Sequence, residues 1–470
     1  MSHIHGVQLF DPLMVDERVA EIMSDAGYVR RMLDFEAALA RAEGSVQVIP
    51  ADAARAINEA IGTLHADELA ELVHAVADGT AKAGTPVISL VKLLTARVEA
   101  EGQSFVHWGA TTQDVMDTAL VLQLRDVFVV FGEGLQALGT ALAMLAAEHR
   151  DTPMVARTVM QHALPTTFGL KAAGWLTAVL RHHGRLGEMA PRVLTLQFGG
   201  AAGTLASLGE KGAPVSRQVA VELGLVLPAT PWHAARDRIC EVAAFCGLLC
   251  GTLGKIGRDV TLMMQTDVQE AFEPSVAGRG GSSTMPHKRN PVLAAVMVGA
   301  GIAAPGLVAT MFAAQMHEHE RAAGSGHAEW RALPELLKIT SGALKAAMAL
   351  GQGLEVKPAR MRENLDATKG LIMAEAVMMA LGAKTGRLQA HHVVEHACKR
   401  AITEQRHLRD VLGEDDQITP HLAPAELAAL FEPEAYLGSA GRFVDAALLA
   451  HKHLPAALDA SNRVFRQVQA

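Results

Sequence analysis

Apolar positions along this chain recur every three or four residues over long stretches, the spacing of α-helices with one buried face. Tyr28, Met32, Phe35 and Leu39 make one such stripe, which ends near Gly44, and Pro50 then opens another helix. The strongest pattern lies within residues 114–150. No proline occurs there, and Leu124, Phe128, Phe131, Leu135, Leu138, Leu142 and Leu145 step by four and three. So narrow a seam predicts a long helix packed against near-parallel partners. Further proline-poor apolar stretches cover about 168–189, 235–264, 292–316 and 333–350. Together they predict an all-α protein with a central bundle of five long helices. Aromatic residues are only 4% while Ala and Leu abound, which favours helix over strand.

The breaks between these stretches carry the unusual residues: TTQD at 111–114, QHALPTT at 161–167, FGGAAGT at 198–204 and GRGGSSTMPHKRNP at 278–291. All four are expected as loops, where binding groups concentrate. FGGAAGT lacks the spacing and preceding strand of a dinucleotide loop, so a turn between helices is expected. After Gly353 the pattern shortens and gains charge. This predicts an N-terminal helical domain over 1–110, the bundle over 111–363 and a C-terminal helical domain over 364–470.

Charge and cysteine content narrow the class. A formal net charge of -8 without a long basic block argues against nucleic acid or an anionic membrane surface as partner. Residues 291–316 hold no charged side chain, long enough to cross a bilayer as the only such segment, but Gly299, Gly301, Pro305 and Gly306 interrupt them. Burial at the centre of a soluble bundle is the expectation instead. Cys240, Cys246 and Cys250, at helical spacing, read as core thiols of a reducing compartment. The first residues, MSHIHGVQLFDPLMVDE, show no secretory signal, so a cytoplasmic protein is expected.

Residues 278–291 combine three glycines with hydroxyl side chains and a basic end at His287, Lys288 and Arg289, beside Asn290. Such a loop can wrap an anion bearing several carboxylates or phosphates, or lie solvated at the surface. It is not a Walker loop, because Lys288 is followed by Arg and the glycine spacing differs. His392 and His396 stand four apart, and HEHE occurs at 317–320. Neither is an HExxH pattern, and no metal is expected.

GSSTMPHKRNP at 281–291 resembles the signature of the fumarase/aspartase superfamily. HWGATTQDVMDTA at 107–119 and ARTVMQHALPTTFG at 156–169 agree with it in order and spacing, and NLDATKGLIMAEAVMMALG at 364–382 extends the likeness. Adenylosuccinate lyases typically carry a His-Asp pair where Thr85 and Pro86 stand here, and no phosphate clamp is visible in HERAAGSGHAEW. LDFEAALARAE, LQLRD, LQFGGAAGTL, PWHAARDRI, HERAAGSGHAEW itself and EQRHLRDVLG resemble instead the cycloisomerase branch, which closes an unsaturated polycarboxylate to a lactone in aromatic-acid breakdown. An adenylosuccinate lyase-like elimination is the alternative, and a non-catalytic helical homologue a further one.

The resemblance implies a cofactor-free enzyme for a small polycarboxylate, assembled as a homotetramer with active sites shared between subunits. It places Ser282 at proton transfer, with Lys288 and Asn290 on the carboxylate where charge accumulates. Thr111, Thr112 and Gln161 would hydrogen-bond the substrate, and His107, Arg289 and Arg321 would bind it. His162 would orient substrate or shuttle a proton, unless it is structural. Val159 stands where fumarase and argininosuccinate lyase carry histidine, which argues against both activities. Segments around Thr111, His162 and Ser282 would come from different subunits.

Overall fold

A computed structural model describes residues 9–276 and 278–453, so residues 1–8 of the segment read for a signal and the last part of the 364–470 region lie outside the described residues. Helix α1, Asp25–Ser45, begins at an N-cap where Ser24 Oγ accepts from Gly27 N. It is followed by five long helices: α2, Thr112–Glu148; α3, Phe168–Val193; α4, Asp237–Met263; α5, Val292–Ala314; and α6, Ser325–Gly353. Every residue of the predicted seam from Leu124 to Leu145 is buried on α2, which packs against α1, α3 and α6. The last helix begins eight residues before the apolar run at 333, because Pro334 sits inside its first turns rather than at its start.

Two corrections concern local structure. QHALPTT is not a loop. It is strand β2, Gln161–Thr167, paired antiparallel with β1, Pro153–Thr158, in a hairpin whose register slips between Ala156 and Arg157. The second concerns apolar length. Among the described residues three helices, not one, are long and apolar enough to cross a bilayer: α2, α4 and α5. Neither α2 nor α4 shows as a charge-free run, because Glu133 divides the apolar stretch of the first and Glu241 and Lys255 bound that of the second. The bundle buries 67% and 56% of their most apolar windows but only 33% of that of α5, which leaves Ile302 and Phe312 exposed.

Helices α4 and α5 run side by side at close range because glycine permits it. A Cβ on Gly257 would lie 2.7 Å from the Ala294 carbonyl, and one on Gly301 would lie 3.2 Å from that of Cys250. Of the glycines read as interruptions, Gly301 is therefore a packing contact, whereas a Cβ on Gly299 or Gly306 would meet nothing within 4 Å. Apolar residues from Val19 to Val76 join the same core as the bundle, and helix α9, Ala440–Lys452, returns to pack on α2 and α3. A second core spans Leu365 to Phe431, built on α7, Ala374–Thr385, and α8, Arg387–Glu404, and takes in Val155 of β1.

Candidate active site

The antiparallel pair α4 and α5 divides the sequence-predicted residues between two ends of the bundle. At 27 residues, α4 is about 40 Å long. One end holds Thr111, Thr112 and Arg321; the other holds the 278–291 loop and the β1–β2 hairpin.

At the first end, Thr111 caps α2 and Thr112 is its first residue. The buried Asp114 carboxylate accepts from the backbone N–H of Thr111 at 3.0 Å, Gly199 at 2.9 Å and Gly200 at 2.8 Å, and from Gln197 Nε2 at 3.1 Å. His233 Nε2 lies 2.7 Å from its Oδ1. FGGAAGT is thus the cradle of a buried acid rather than a ligand loop. One turn along, Asp117 meets Arg236 at 2.7 Å, and Arg236 also binds Glu329 at 2.6 Å, all three buried. His317 Nε2 lies 3.1 Å from Glu329. Gln113 donates to Asp117 and to the His233 carbonyl and accepts from Arg321 Nε at 3.3 Å, while Arg321 also reaches the Ala201 carbonyl. Arg321 is exposed and fixed to the turn that presents Thr111. Beside this network lies a cavity of about 820 Å³ that Tyr28, Asp117, Arg236 and Glu329 help to line, and no sequence-predicted site residue lines it.

His107 precedes this turn. Its Nδ1 lies 2.6 Å from the buried Glu36 Oε1. Burial would push the imidazole down, but the Glu36 carboxylate, helped by Asp114, holds it above its ordinary value.

At the other end, the 278–291 loop is pinched shut where Asn290 N donates to the Gly280 carbonyl at 2.9 Å. Gly280 has φ +71, and a Cβ there would strike the Asn290 carbonyl at 2.7 Å. Within the pinch, Ser282 Oγ accepts from Thr284 N at 3.2 Å and Met285 N at 2.9 Å. Lys288 is exposed, and Asn290 Nδ2 reaches the Gly281 carbonyl at 3.4 Å. Arg289 is held by partners of its own. It pairs with Glu355 at 2.9 Å, donates to the Glu273 carbonyl and stacks over Phe272, tying the loop to the pairing of β3, Ala271–Phe272, with β4, Glu355–Val356. Glu273 in turn accepts from Leu293 N and Ala294 N at the start of α5.

The hairpin reaches the same end. Arg157 forms a two-pronged pair with the buried Glu270, at 2.7 and 2.8 Å, and Asn364 donates to that acid. His162 lies across from Arg157, and Gln161 is exposed beside it. Its Nδ1 is buried without a partner, and burial, with the Arg157 charge, pushes the ring below its ordinary value. His162 is therefore neutral at neutral pH, able to accept a proton. The turn before it, Val159–Met160, has φ 49 and 66 with both side chains exposed, a left-handed pair that a β-branched residue adopts only under constraint.

Asp114, Asp117, His233, Arg236, Glu270, Glu329 and Glu36 were not singled out from the sequence. All but Glu270 lie in strings that carried the resemblance, yet the strings gave no partner for any of them.

A helical bundle with a hydroxyl-bearing glycine loop at one end and a buried ionic network at the other defines an enzyme of the fumarase/aspartase superfamily. The chain belongs to the lyase family, which matches over residues 14–306, with an adenylosuccinate lyase C-terminus over residues 370–447. It is 50% identical over 457 residues to a 3-carboxy-cis,cis-muconate cycloisomerase of Pseudomonas aeruginosa, covering 97% of this chain and 98% of that one. To the enzyme of that name from Bradyrhizobium diazoefficiens it is 52% identical over 440 residues, covering 93% and 96%. The crystal structure of 3-carboxy-cis,cis-muconate lactonizing enzyme from Pseudomonas putida superposes with a TM-score of 0.89 at 48% identity, covering 95% of this chain and all of that one.

Proposed function

We propose that this protein converts 3-carboxy-cis,cis-muconate to a carboxymuconolactone, a step of protocatechuate catabolism. The carrying observation is identity at half of all positions over 97% of the chain to an enzyme of that activity. In the reaction a substrate carboxylate oxygen bonds to the carbon bearing the extra carboxyl group, a proton goes to the neighbouring carbon, and nothing is released. Holding both ends of one molecule in a pocket supplies the proximity advantage.

Ser282 fits the proton transfer. Its Oγ already accepts two backbone N–H bonds, so the alkoxide left after O–H donation is stabilised until water returns the proton. Lys288, exposed on the same loop, supplies charge to the carboxylate that accumulates electrons, and Asn290 assists it. Thr111, Thr112 and Arg321 bind the other carboxylates from the opposite end of a neighbouring chain. The assembly that brings the ends together is a homotetramer in which the under-buried α5 faces its copies. Reduced core thiols support a cytoplasmic location. Incubating the protein with 3-carboxy-cis,cis-muconate should abolish the diene absorbance and yield lactone. No loss of absorbance at micromolar enzyme would sink the reading.

A further inference from the structure

Helix α1 carries two buried acids, Glu36 and Glu43, about two turns apart on one face. Only 1% of the Glu36 side chain is accessible, against 17% of the His107 imidazole it meets. Both oxygens of Glu43 are buried without a hydrogen-bond partner. An ionised carboxylate is not tolerated in such a place. Burial, with the neighbouring Glu36 carboxylate, pushes Glu43 up to about 9, so it is a neutral acid at neutral pH. His107 itself is held at φ 60, a left-handed conformation that a non-glycine residue keeps only where its surroundings fix it.

We propose that Glu36 is a positioning residue: it fixes the His107 ring through Nδ1 and supplies the counter-charge of an imidazolium whose remaining N–H, at Nε2, binds a substrate carboxylate. The identity of that carboxylate rests on the cycloisomerase reading. With Nδ1 committed to Glu36, Nε2 is the nitrogen left for a ligand, and a charged donor binds a carboxylate about twice as strongly as a neutral one. The groups facing this pair are few. Asp114 acts on His107 from α2, and Glu43 acts on Glu36 from α1. The turn whose Leu208 packs on Gly109 carries Glu210 and Lys211, both exposed, with Lys211 bound to the Gln47 carbonyl. The helix Gly212–Leu223, packed on α1, adds exposed Arg217 and a Glu222 already paired with Arg41.

Diethyl pyrocarbonate acylates neutral imidazole, so the pH midpoint of His107 modification, read by mass spectrometry of its peptide, reports protonation without substrate. The unaltered protein should show a midpoint above the ordinary value of about 6.5. Glu36→Gln should lower it by about one pH unit or more, because burial then acts alone. In the lactone assay the same variant should raise KM about tenfold at pH 8, with less change in kcat, and far less at pH 5.5, where solvent protons restore the imidazolium. Glu36→Asp, which keeps the charge, should recover part of both effects, and it serves as the test variant should the amide not fold. An unmoved midpoint, or a KM rise of equal size at both pH values, would overturn the proposal. No lactone from the unaltered protein, with the midpoint still shifted by Glu36→Gln, would overturn the cycloisomerase reading and leave the pair intact.

Discussion

Ser282 and Glu43 show how differently single side chains are committed here. Ser282 Oγ is an acceptor of two N–H bonds within the pinched loop, a hydroxyl whose deprotonated form is already solvated by the protein. Ser282→Ala should therefore lower kcat about a hundredfold or more while KM changes little, since it moves a proton rather than anchoring charge. Turnover within threefold of the unaltered enzyme would refute the role. Glu43 bears on stability instead. Its carboxyl is raised from 4.5 unfolded to about 9 folded, so its contribution is full below about pH 4.5 and lost progressively as pH rises toward 9. Glu43→Gln should flatten the fall of Tm between pH 5 and pH 8.5. A slope equal to that of the unaltered protein would mean that Glu43 has found a partner.

At the scale of elements, what the sequence disclosed follows from range. The α2 seam was legible because helix periodicity is local and seven apolar side chains repeat it. The β1–β2 hairpin was not, since QHALPTT neither alternates nor lacks proline and its strand exists only through pairing with residues 153–158. The same holds for the site: Ser282 and Lys288 stand in one contiguous signature, whereas Asp117, Arg236 and Glu329 are 93 or more residues apart and meet only after folding. The ties of Arg289 were hidden for the same reason, its partner Glu355 being 66 residues away. The buried triad also fixes how α2, α4 and α6 meet. Arg236→Met would leave two buried acids without their cation, at a cost of about 3–5 kcal/mol. Circular dichroism melting should show Tm lowered by about 5 °C or more, or no soluble protein. A drop of under 2 °C would show that the triad contributes little.

For the whole molecule, exposed Ile302 and Phe312 on α5 are the surface that assembly should cover. Sedimentation should give four chain masses at working concentration, and replacing both residues by Lys should yield smaller species that have lost activity. A fully active monomer would defeat the shared site. The length of α4 carries a genetic consequence. If the Thr111, His162 and Ser282 segments of one site come from three chains, as proposed, alleles of this gene should sort into three complementation groups along one reading frame. A cell carrying one lesion at Ser282 and another at Thr111 would regain about a quarter of its sites by random mixing of subunits, while two lesions within one segment would regain none.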